Sequence, residues 1–207
     1  MEQRLADGLD ELGLPQDLAE PLFDYVELLT KWNKTYNLTA VRDPEEMVTL
    51  HLLDSLTAIP YLAGASVLDV GTGAGLPGIP LAIACADKSF TLLDTNGKKT
   101  RFVEHAARKL GLGNVTVVQS RIETFEPANE SKIGFDTITS RAFSSLEDFA
   151  GACRGLLADG GRLLAMKGKL QSEEISVLNE AQWSITSEQV SVPGLEAERH
   201  MIILTSK

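Results

Sequence analysis

The chain contains 207 residues, of which 43% are hydrophobic and 23% are charged, and its formal net charge is -10. This composition excludes intrinsically disordered and fibrous proteins, and two cysteines are too few for a disulfide framework or a Cys-rich zinc site. No apolar run approaches the roughly 20 residues of a membrane-spanning helix. The first residues also lack the basic-then-apolar order of a signal peptide, so we expect a soluble, cytoplasmic protein.

Residues 1–64 are predicted to form an N-terminal helical cap. Apolar residues recur at helical spacing in two stretches, the second of them spanning residues 18–36. Asp43 followed by Pro44 is typical of a helix start, and we expect this third helix to continue to about residue 56. The cap holds four basic and twelve acidic residues, so most of the negative charge lies here and the remaining chain is nearly neutral.

From residue 65 to residue 207, short apolar strands alternate with helices. The predicted strands are 66–70, 90–94, 115–118, 135–139 and 162–166, and the predicted helices are 77–86, 98–110 and 146–157, with a turn at Gly160 and Gly161 before the fifth strand. This alternation predicts an α/β fold with a doubly wound, mostly parallel sheet. Two further strand-like runs, 183–192 and 199–205, predict a hairpin, so the last strand should enter the sheet antiparallel.

A glycine-rich loop follows the first of these strands. Residues 69–75 read DVGTGAG, and glycines at a strand-to-helix turn allow a ligand to approach the backbone closely. Asp94 ends the next strand, where its carboxylate could accept both ribose hydroxyls of a nucleoside. These features predict a nucleoside-containing cofactor at the carboxyl edge of the sheet.

Two cofactors fit this loop. Residues 73–78 formally match the Gly-x-Gly-x-x-Gly pattern of dinucleotide-binding proteins, but Pro77 falls where the pyrophosphate should meet an N–H group. The Asp-x-Gly-x-Gly-x-Gly pattern of residues 69–75 instead resembles the first motif of S-adenosylmethionine-dependent methyltransferases. The loop favours a methyltransferase over a nucleotide-dependent oxidoreductase.

Flanking segments make the resemblance more specific. Residues 32–39 (WNKTYNLT), 51–56 (HLLDSL), 68–80 (LDVGTGAGLPGIP), 120–123 (SRIE) and 140–143 (SRAF) occur in the order seen in one family. From about residue 20 onward, the chain resembles the glucose-inhibited division protein B family, the small-subunit (16S) ribosomal RNA guanine-N7 methyltransferases. A slightly long loop at 129–134 is its weakest segment.

The resemblance implies a seven-stranded, Rossmann-like class I methyltransferase that uses S-adenosylmethionine. It implies 16S ribosomal RNA within the small subunit as the partner. The sequence itself indicates no membrane and no metal, because no apolar run is long enough to span a membrane and His105 and His200 lack nearby ligand partners. By motif position, the resemblance assigns the cofactor site to Asp69, Gly71, Gly73, Gly75, Leu76, Asp94, Ile122, Glu123 and Arg141. Asp94 would hold the ribose, and the residues after the third strand would hold the adenine.

The acceptor atom decides which catalytic groups are needed. Exocyclic amines must lose protons, and their methylases usually carry an Asn/Asp-Pro-Pro-aromatic run, which residues 139–143 lack. A pyrimidine C5 acceptor needs a covalent cysteine, but Cys85 and Cys153 fall in core helix patterns. Guanine N7 already carries a free lone pair, so positioning and electrostatics would suffice for in-line displacement without a general base.

Arg141, just past the fourth strand, is the candidate catalytic residue. We expect it to contact the cofactor carboxylate, a phosphate or guanine O6, and its replacement by alanine to reduce transfer greatly with the fold intact. The alternative is an ion pair with Asp136 or Glu147.

Other residues have both a binding and a structural interpretation. Lys167, Lys169 and Phe143 are candidate RNA contacts, the alternatives being solvated lysines and a core aromatic. A basic cluster on the second helix of the sheet region (Lys98, Lys99, Arg101, Arg108 and Lys109) is either an RNA surface or a solvated face. Core positions are favoured for Trp32, Tyr36 and Leu38. Residues that could brace the cap against the sheet are Asn33, Asn37, His51 and Asp54, with a structural hydrogen bond favoured for His51.

Two other functions stay open at this point. A methyltransferase of a small molecule or a protein would share the cofactor site but leave the basic clusters unexplained. A cofactor-binding module without catalysis has no specific feature in its favour.

Overall fold

The computed structural model describes residues 1–127, 134–141, 143, 145–169, 174–175, 178 and 182–207. Its N-terminal part is helical, and consists of α1 (Glu2–Glu11), α2 (Ala19–Tyr36), α3 (Pro44–Met47), a π-helical segment (Val48–Leu53) and α4 (Asp54–Leu56). The side chain of Asp43 accepts a hydrogen bond from the backbone N–H of Glu45 at 2.9 Å, which caps α3 as predicted. The π-helical segment was not predicted, because hydrophobic spacing does not distinguish it from an α-helix.

Seven strands form one sheet. They are β1 (Ser66–Val70), β2 (Ser89–Asp94), β3 (Val115–Gln119), β4 (Phe135–Ser140), β5 (Leu157–Lys167), β6 (Trp183–Gln189) and β7 (His200–Ser206), in the spatial order β3-β2-β1-β4-β5-β7-β6. Strands β1 to β5 pair in parallel, whereas β7 pairs antiparallel with both β5 and β6. The predicted α/β fold and the antiparallel last strand are confirmed. Strand order reverses at β1, and ligands of such sheets bind at the carboxyl ends beside this point.

Helices cover both faces of the sheet. Among the described residues, the α-helices that follow strands β1, β2 and β4 are α5 (Gly78–Ala84), α6 (Gly97–Lys109) and α7 (Leu146–Cys153). On one face, Leu5 and Leu22 of the cap share a core with Phe102 of α6, and on the other Phe149 packs near Trp183. The cap is therefore fixed against the sheet by shared apolar burial, and the division into units at residue 64 stays a prediction.

Strand β5 is longer than predicted. It begins at Leu157 and includes Gly160 and Gly161, which the sequence assigns to a turn, so α7 ends early, at Cys153. A Cβ atom on Gly161 would lie 2.9 Å from the carbonyl oxygen of Phe135. Glycine is needed here because the neighbouring backbone comes too close for a side chain.

The aromatic residues near the end of α2 divide between core and surface. Leu38 is buried as predicted, and Trp32 is half-buried, with its ring centroid 5.5 Å from that of Phe102. The predicted core position of Tyr36 is wrong, because its side chain is 45% exposed. The helix ends at this residue, and Asn37 takes the left-handed conformation that caps it (φ 49°), so the last turn extends beyond the core.

Within the described ranges, no helix combines the length and the apolar character that crossing a membrane requires. Apart from Gly134, the loop at 129–134 lies outside the described residues.

Candidate functional site

The glycine loop between β1 and α5 has a backbone that only glycine adopts easily. Gly71, Gly73 and Gly75 have φ values of 71°, 61° and 91°. The N–H groups of Gly71 and Thr72 donate to the carbonyl oxygen of Leu93 at 2.8 and 2.9 Å, which ties the loop to the end of β2. The loop is thereby held open at the carboxyl edge of the sheet.

The buried carboxylate of Asp69 stabilises this loop through hydrogen bonds. Its Oδ2 accepts hydrogen bonds from the Thr72 hydroxyl at 2.6 Å and from the Gly78 N–H at 3.0 Å. Burial raises the pKa of Asp69 to about 6, against the lowering effect of those two hydrogen bonds. A Cβ on Gly78 would lie 2.8 Å from the same oxygen, so glycine is required there.

Asp94 connects the glycine loop to the start of α6. The residue is 8% exposed; its Oδ2 accepts from the Gly73 N–H and its Oδ1 from the Asn96 N–H, both at 2.8 Å. A carboxylate has about four lone-pair positions, so these two bonds fix its orientation and leave acceptor capacity for a ligand. The side chain is thus held in place before any ligand binds.

A cavity of about 340 Å³ lies over the carboxyl ends of β1, β2 and β3. It is lined by Val70, Gly71, Leu93, Asp94, Thr95, Lys99, Ser120, Arg121, Ile122, Glu123 and Phe143. Its volume falls in the range of small-molecule sites, and it lies where the strand order reverses. Its wall combines two carboxylates, two cationic side chains and several apolar side chains.

The structure brings only some of the predicted cofactor residues to this cavity. Gly71, Asp94, Ile122 and Glu123 line it. The remaining members of the predicted set are not in its wall: Asp69, Gly73, Gly75 and Leu76 belong to the loop and its support, and Arg141 lines a neighbouring cleft. Phe143, which the sequence suggests for RNA, lines the cavity, and its ring centroid lies 5.1 Å from that of Phe149.

Lys99 is a cavity residue that sequence reasoning did not single out from its basic cluster. It lies in the first turn of α6, and a Cβ on Gly73 would be 3.9 Å from its Nζ. The other four members of the cluster are exposed along α6. The position of Lys99 in the sequence could have indicated this role, because the first turn of a helix that follows a strand faces the carboxyl edge of the sheet.

A second, polar cleft of about 220 Å³ lies beside the first. Its walls come from α4, the ends of β4 and β5 and the start of β7, and comprise Asp54, Arg141, Met166, Lys167, Gly168, Arg199, His200 and Met201. Phe143, which lines the first cavity, contacts this cleft through its carbonyl oxygen, which accepts a hydrogen bond from Lys167 Nζ at 3.4 Å.

Arg141 is held by the helical cap. Its Nη1 lies 3.3 Å from Asp54 Oδ2, and its Nη2 donates to the carbonyl oxygen of Leu50 at 3.2 Å. The alternative ion pair with Asp136 or Glu147 is wrong, because Arg141 pairs with Asp54. Asp136 instead accepts from the backbone of residues 65 and 66 at the opposite edge of the sheet.

Comparison with known proteins assigns the family. Residues 19–202 match the family GidB, described as rRNA small subunit methyltransferase G. The chain belongs to this family. The resemblance proposed from the sequence motifs is therefore confirmed.

Relatives in the rRNA small subunit methyltransferase G family match this chain over all or nearly all of its length. A Pseudomonas aeruginosa protein named ribosomal RNA small subunit methyltransferase G is 52% identical over 203 residues, covering 97% of this chain and 93% of the relative. A Photobacterium profundum protein with the same name is 46% identical over 211 residues and covers 100% of both chains.

Solved structures of other methyltransferases share the fold. The magnesium protoporphyrin IX methyltransferase of Synechocystis, solved with bound S-adenosylmethionine, aligns with a TM-score of 0.58 at 17% identity, over 88% of this chain and 97% of that one. A methyltransferase from Aquifex aeolicus described as S-adenosylmethionine-dependent aligns with a TM-score of 0.54 at 19% identity, over 78% and 97% of the two chains. The class I methyltransferase fold is thus shown.

In this member of the rRNA small subunit methyltransferase G family, the helical cap also contacts the glycine loop. The buried hydroxyl of Tyr25 in α2 donates to the carbonyl oxygen of Ala74 at 2.6 Å. Burial raises the pKa of Tyr25 far above its usual value, so this hydroxyl stays protonated and remains a donor. Sequence reasoning did not single out Tyr25, because its partner lies 49 positions away along the chain.

The four residues suggested as braces between cap and sheet have different roles. Asp54 does join the two parts, through Arg141 and Arg199. Asn33 and Asn37 do not: Asn33 bonds backbone groups of residues 39 and 41, and Asn37 caps α2. The structural hydrogen bond expected of His51 is confirmed, since its Nε2 lies 2.9 Å from Thr39 Oγ1, and burial lowers its pKa.

The candidate RNA lysines differ in exposure. Lys167 is largely buried and pairs with Glu174 at 3.3 Å, whereas Lys169 is exposed on the loop after β5. Across the described parts of the chain, no group of three or more His, Cys, Asp or Glu side chains is arranged to hold a metal ion.

Proposed function

We propose that this chain transfers a methyl group from S-adenosylmethionine to N7 of a guanine in 16S ribosomal RNA. The observation that carries the proposal is the cavity of about 340 Å³ over β1 to β3, with Asp94 held in its wall. It occurs in a chain that is 52% identical over almost its full length to a relative named ribosomal RNA small subunit methyltransferase G.

The cavity residues fit the parts of S-adenosylmethionine. Asp94 offers a fixed carboxylate for the ribose hydroxyls, and Gly71 offers backbone that a ligand can approach closely. Ile122 and Glu123 follow β3 and suit the adenine, through an apolar contact and backbone groups. Around them, Gly73, Gly75 and Leu76 form the loop, and Asp69 holds it in shape.

The residues present suit an acceptor that needs no deprotonation. When bound, the sulfonium of S-adenosylmethionine supplies an activated methyl group for in-line displacement. Both cysteines, Cys85 and Cys153, are buried free thiols in the two apolar cores, and burial raises the pKa of each, which disfavours a covalent cysteine mechanism. Guanine N7 has a free lone pair, so the chain has only to orient the base and exclude water.

Arg141 then acts on the substrate side of the reaction. It lies in the second cleft, where Asp54 and the Leu50 carbonyl fix its guanidinium. A guanidinium that binds both O6 and N7 of guanine would block the nucleophile. Contact with O6 alone or with a phosphate leaves N7 free.

The substrate is 16S rRNA within the small ribosomal subunit, where shape and ribosomal proteins supply recognition that a chain of net charge -10 supplies weakly. The enzyme works in the cytoplasm, and its reaction needs no metal. Phe143 contributes to the cofactor side, and Lys169 contacts RNA phosphates.

Labelled methyl transfer to unmodified small ribosomal subunits, followed by nucleoside analysis, tests the proposal. Label in 7-methylguanosine is the expected result. Label on ribosomal protein or on a small molecule would support the other class of methyltransferase, and no label with any acceptor would indicate a binding module. Purified subunits that already carry the modification serve as the control and should accept no label.

A further inference from the structure

The buried carboxylate of Asp54 joins two arginines from distant parts of the chain. Its side chain is 5% exposed; Oδ1 accepts from Arg199 Nε at 2.8 Å, and Oδ2 lies 3.3 Å from Arg141 Nη1. Further backbone carbonyls orient both guanidinium groups, that of Leu50 for Arg141 and that of Glu198 for Arg199. Both arginines are thus fixed in one geometry in the wall of the second cleft.

The charge of this arrangement exceeds what a structural ion pair needs. One arginine would neutralise the buried carboxylate, yet two are present, and their side chains remain 25% and 23% exposed. Lys167 adds a further cation to the same wall and is balanced by Glu174. Each guanidinium has five N–H donors. The groups that hold these two arginines do not use all of them, so the remaining donors can bind an anion.

The position of the second cleft fits a substrate group close to the reacting base. Arg141 directly follows Ser140, whose hydroxyl donates to the carbonyl oxygen of Val70 at 2.7 Å, and Val70 lines the cofactor cavity. At about 220 Å³ the cleft is smaller than typical ligand pockets. It therefore suits a compact anion such as a phosphate better than a base.

We infer that the second cleft binds a phosphodiester of the RNA beside the target guanine, and that Asp54 is the positioning residue that aims Arg141 and Arg199 at it. The inference rests on the proposed function, because it assumes that RNA is the substrate. Arg141 and Arg199 contact the phosphate, and Asp54 acts only through them. A planar guanidinium binds phosphate with two parallel hydrogen bonds, which a lysine cannot reproduce.

The first experiment removes one guanidinium. With unmodified small subunits as substrate, Arg199→Gln should raise the KM for subunits about tenfold, as expected for loss of a charge-assisted contact. The plot of log affinity against log salt concentration has a negative slope, and this variant should make that slope less steep by about 0.7 to 0.9, the contribution of one phosphate contact. Arg199→Lys should restore the salt slope and part of the affinity.

The control has the same charge change at a remote site. Arg4→Gln removes a half-exposed arginine of α1 that pairs with Glu45, and should leave KM and salt slope at their wild-type values. If Arg199→Gln and Arg4→Gln behave alike, the phosphate site is refuted. If the wild-type chain methylates no RNA at all, the proposed function fails and this inference fails with it.

A second variant tests the positioning role by the sign of its effect. Asp54→Asn removes a negative charge, so a carboxylate that merely repelled RNA would give tighter binding when neutralised. A carboxylate that aims the arginines should instead give weaker binding and a higher KM for subunits. Tighter binding would refute the role of Asp54. Should this variant fail to fold, the salt slope of Arg199→Gln still decides the phosphate site.

Calorimetry with S-adenosylmethionine distinguishes the two sources of an anion. The cofactor carries a carboxylate of its own, and Arg199→Gln would weaken cofactor binding if the cleft held that group. We expect the dissociation constant for S-adenosylmethionine to stay within about twofold of wild type. A large loss of cofactor affinity with an unchanged KM for subunits would refute the RNA assignment.

Discussion

Asp94→Asn is the sharpest test of the proposed cofactor site. The carboxylate accepts one hydrogen bond on each oxygen, from the N–H groups of Gly73 and Asn96, both at 2.8 Å. A carboxamide can accept only on its oxygen, so one of these N–H groups would face an NH2 group instead. A bound ribose would also lose its charged acceptor.

The magnitude follows from the bonds that are lost. Each hydrogen bond to a charged group contributes about 1.5 to 3 kcal/mol. Losing one between protein and ribose corresponds to a fall of roughly 10- to 100-fold in affinity for S-adenosylmethionine. Isothermal titration calorimetry measures this directly, and urea denaturation of the same samples reports the free energy of unfolding.

Asp136→Asn is the matched control. Asp136 also accepts backbone N–H bonds, from Ala65 and Ser66 at 2.9 Å each, but it lies at the amino edge of the sheet. Asp136→Asn should lose less stability than Asp94→Asn, because a single oxygen of Asp136 accepts both backbone bonds and the amide oxygen can keep them. Only Asp94→Asn should lose cofactor affinity. Equal cofactor affinity in the two variants would refute the assignment of Asp94 to the ribose.

Three other substitutions probe the support of the glycine loop. Burial raises the pKa of Asp69 from 3.8 to about 6, so the folded state binds this proton more tightly than the unfolded state. The contribution of this proton to the free energy of unfolding is therefore complete below pH 4 and is lost as the pH rises to about 6. Urea denaturation from pH 4 to pH 7 should therefore show Asp69→Asn gaining up to about 3 kcal/mol relative to wild type, and a constant difference would contradict this reasoning. Tyr25→Phe leaves the carbonyl of Ala74 without its 2.6 Å donor and should lower stability by about 1 to 3 kcal/mol in thermal unfolding. Calorimetry should show a several-fold loss of cofactor affinity, and an unchanged affinity would show that the cap does not support the loop. Gly75→Ala should lower the melting temperature more than Gly111→Ala. Both glycines have positive φ, but only at Gly75 would the new Cβ meet a side chain, that of Ile79 at 2.6 Å. Equal melting temperatures would refute the steric argument.

The sequence predicted those features that depend on local pattern. Helical spacing located α1 and α2, and Asp43 capped its helix as expected. Alternation of strands and helices predicted the sheet and the edge at which the glycine loop lies. These signals are strong because each arises from residues within one or two turns of one another.

Features that depend on long-range contacts were missed or misassigned. The partner of Arg141 is Asp54, 87 positions away, and the Arg199–Asp54 bond spans 145 positions. No local pattern distinguishes that pairing from one with Asp136. Tyr36 followed the helical period and was assigned to the core, but burial depends on where the neighbouring elements end as well as on helix phase.

The last strand of the sheet has a consequence for synthesis of the protein. Strand β7 lies between β5 and β6, although both precede it along the chain, and Arg199 stands just before it. A nascent chain that stops before residue 199 therefore cannot pair β6 with the rest of the sheet or supply the second guanidinium. Such contacts between distant residues form late and slowly. Prematurely terminated products should consequently lack methylating activity and expose an unpaired sheet edge to cellular proteases.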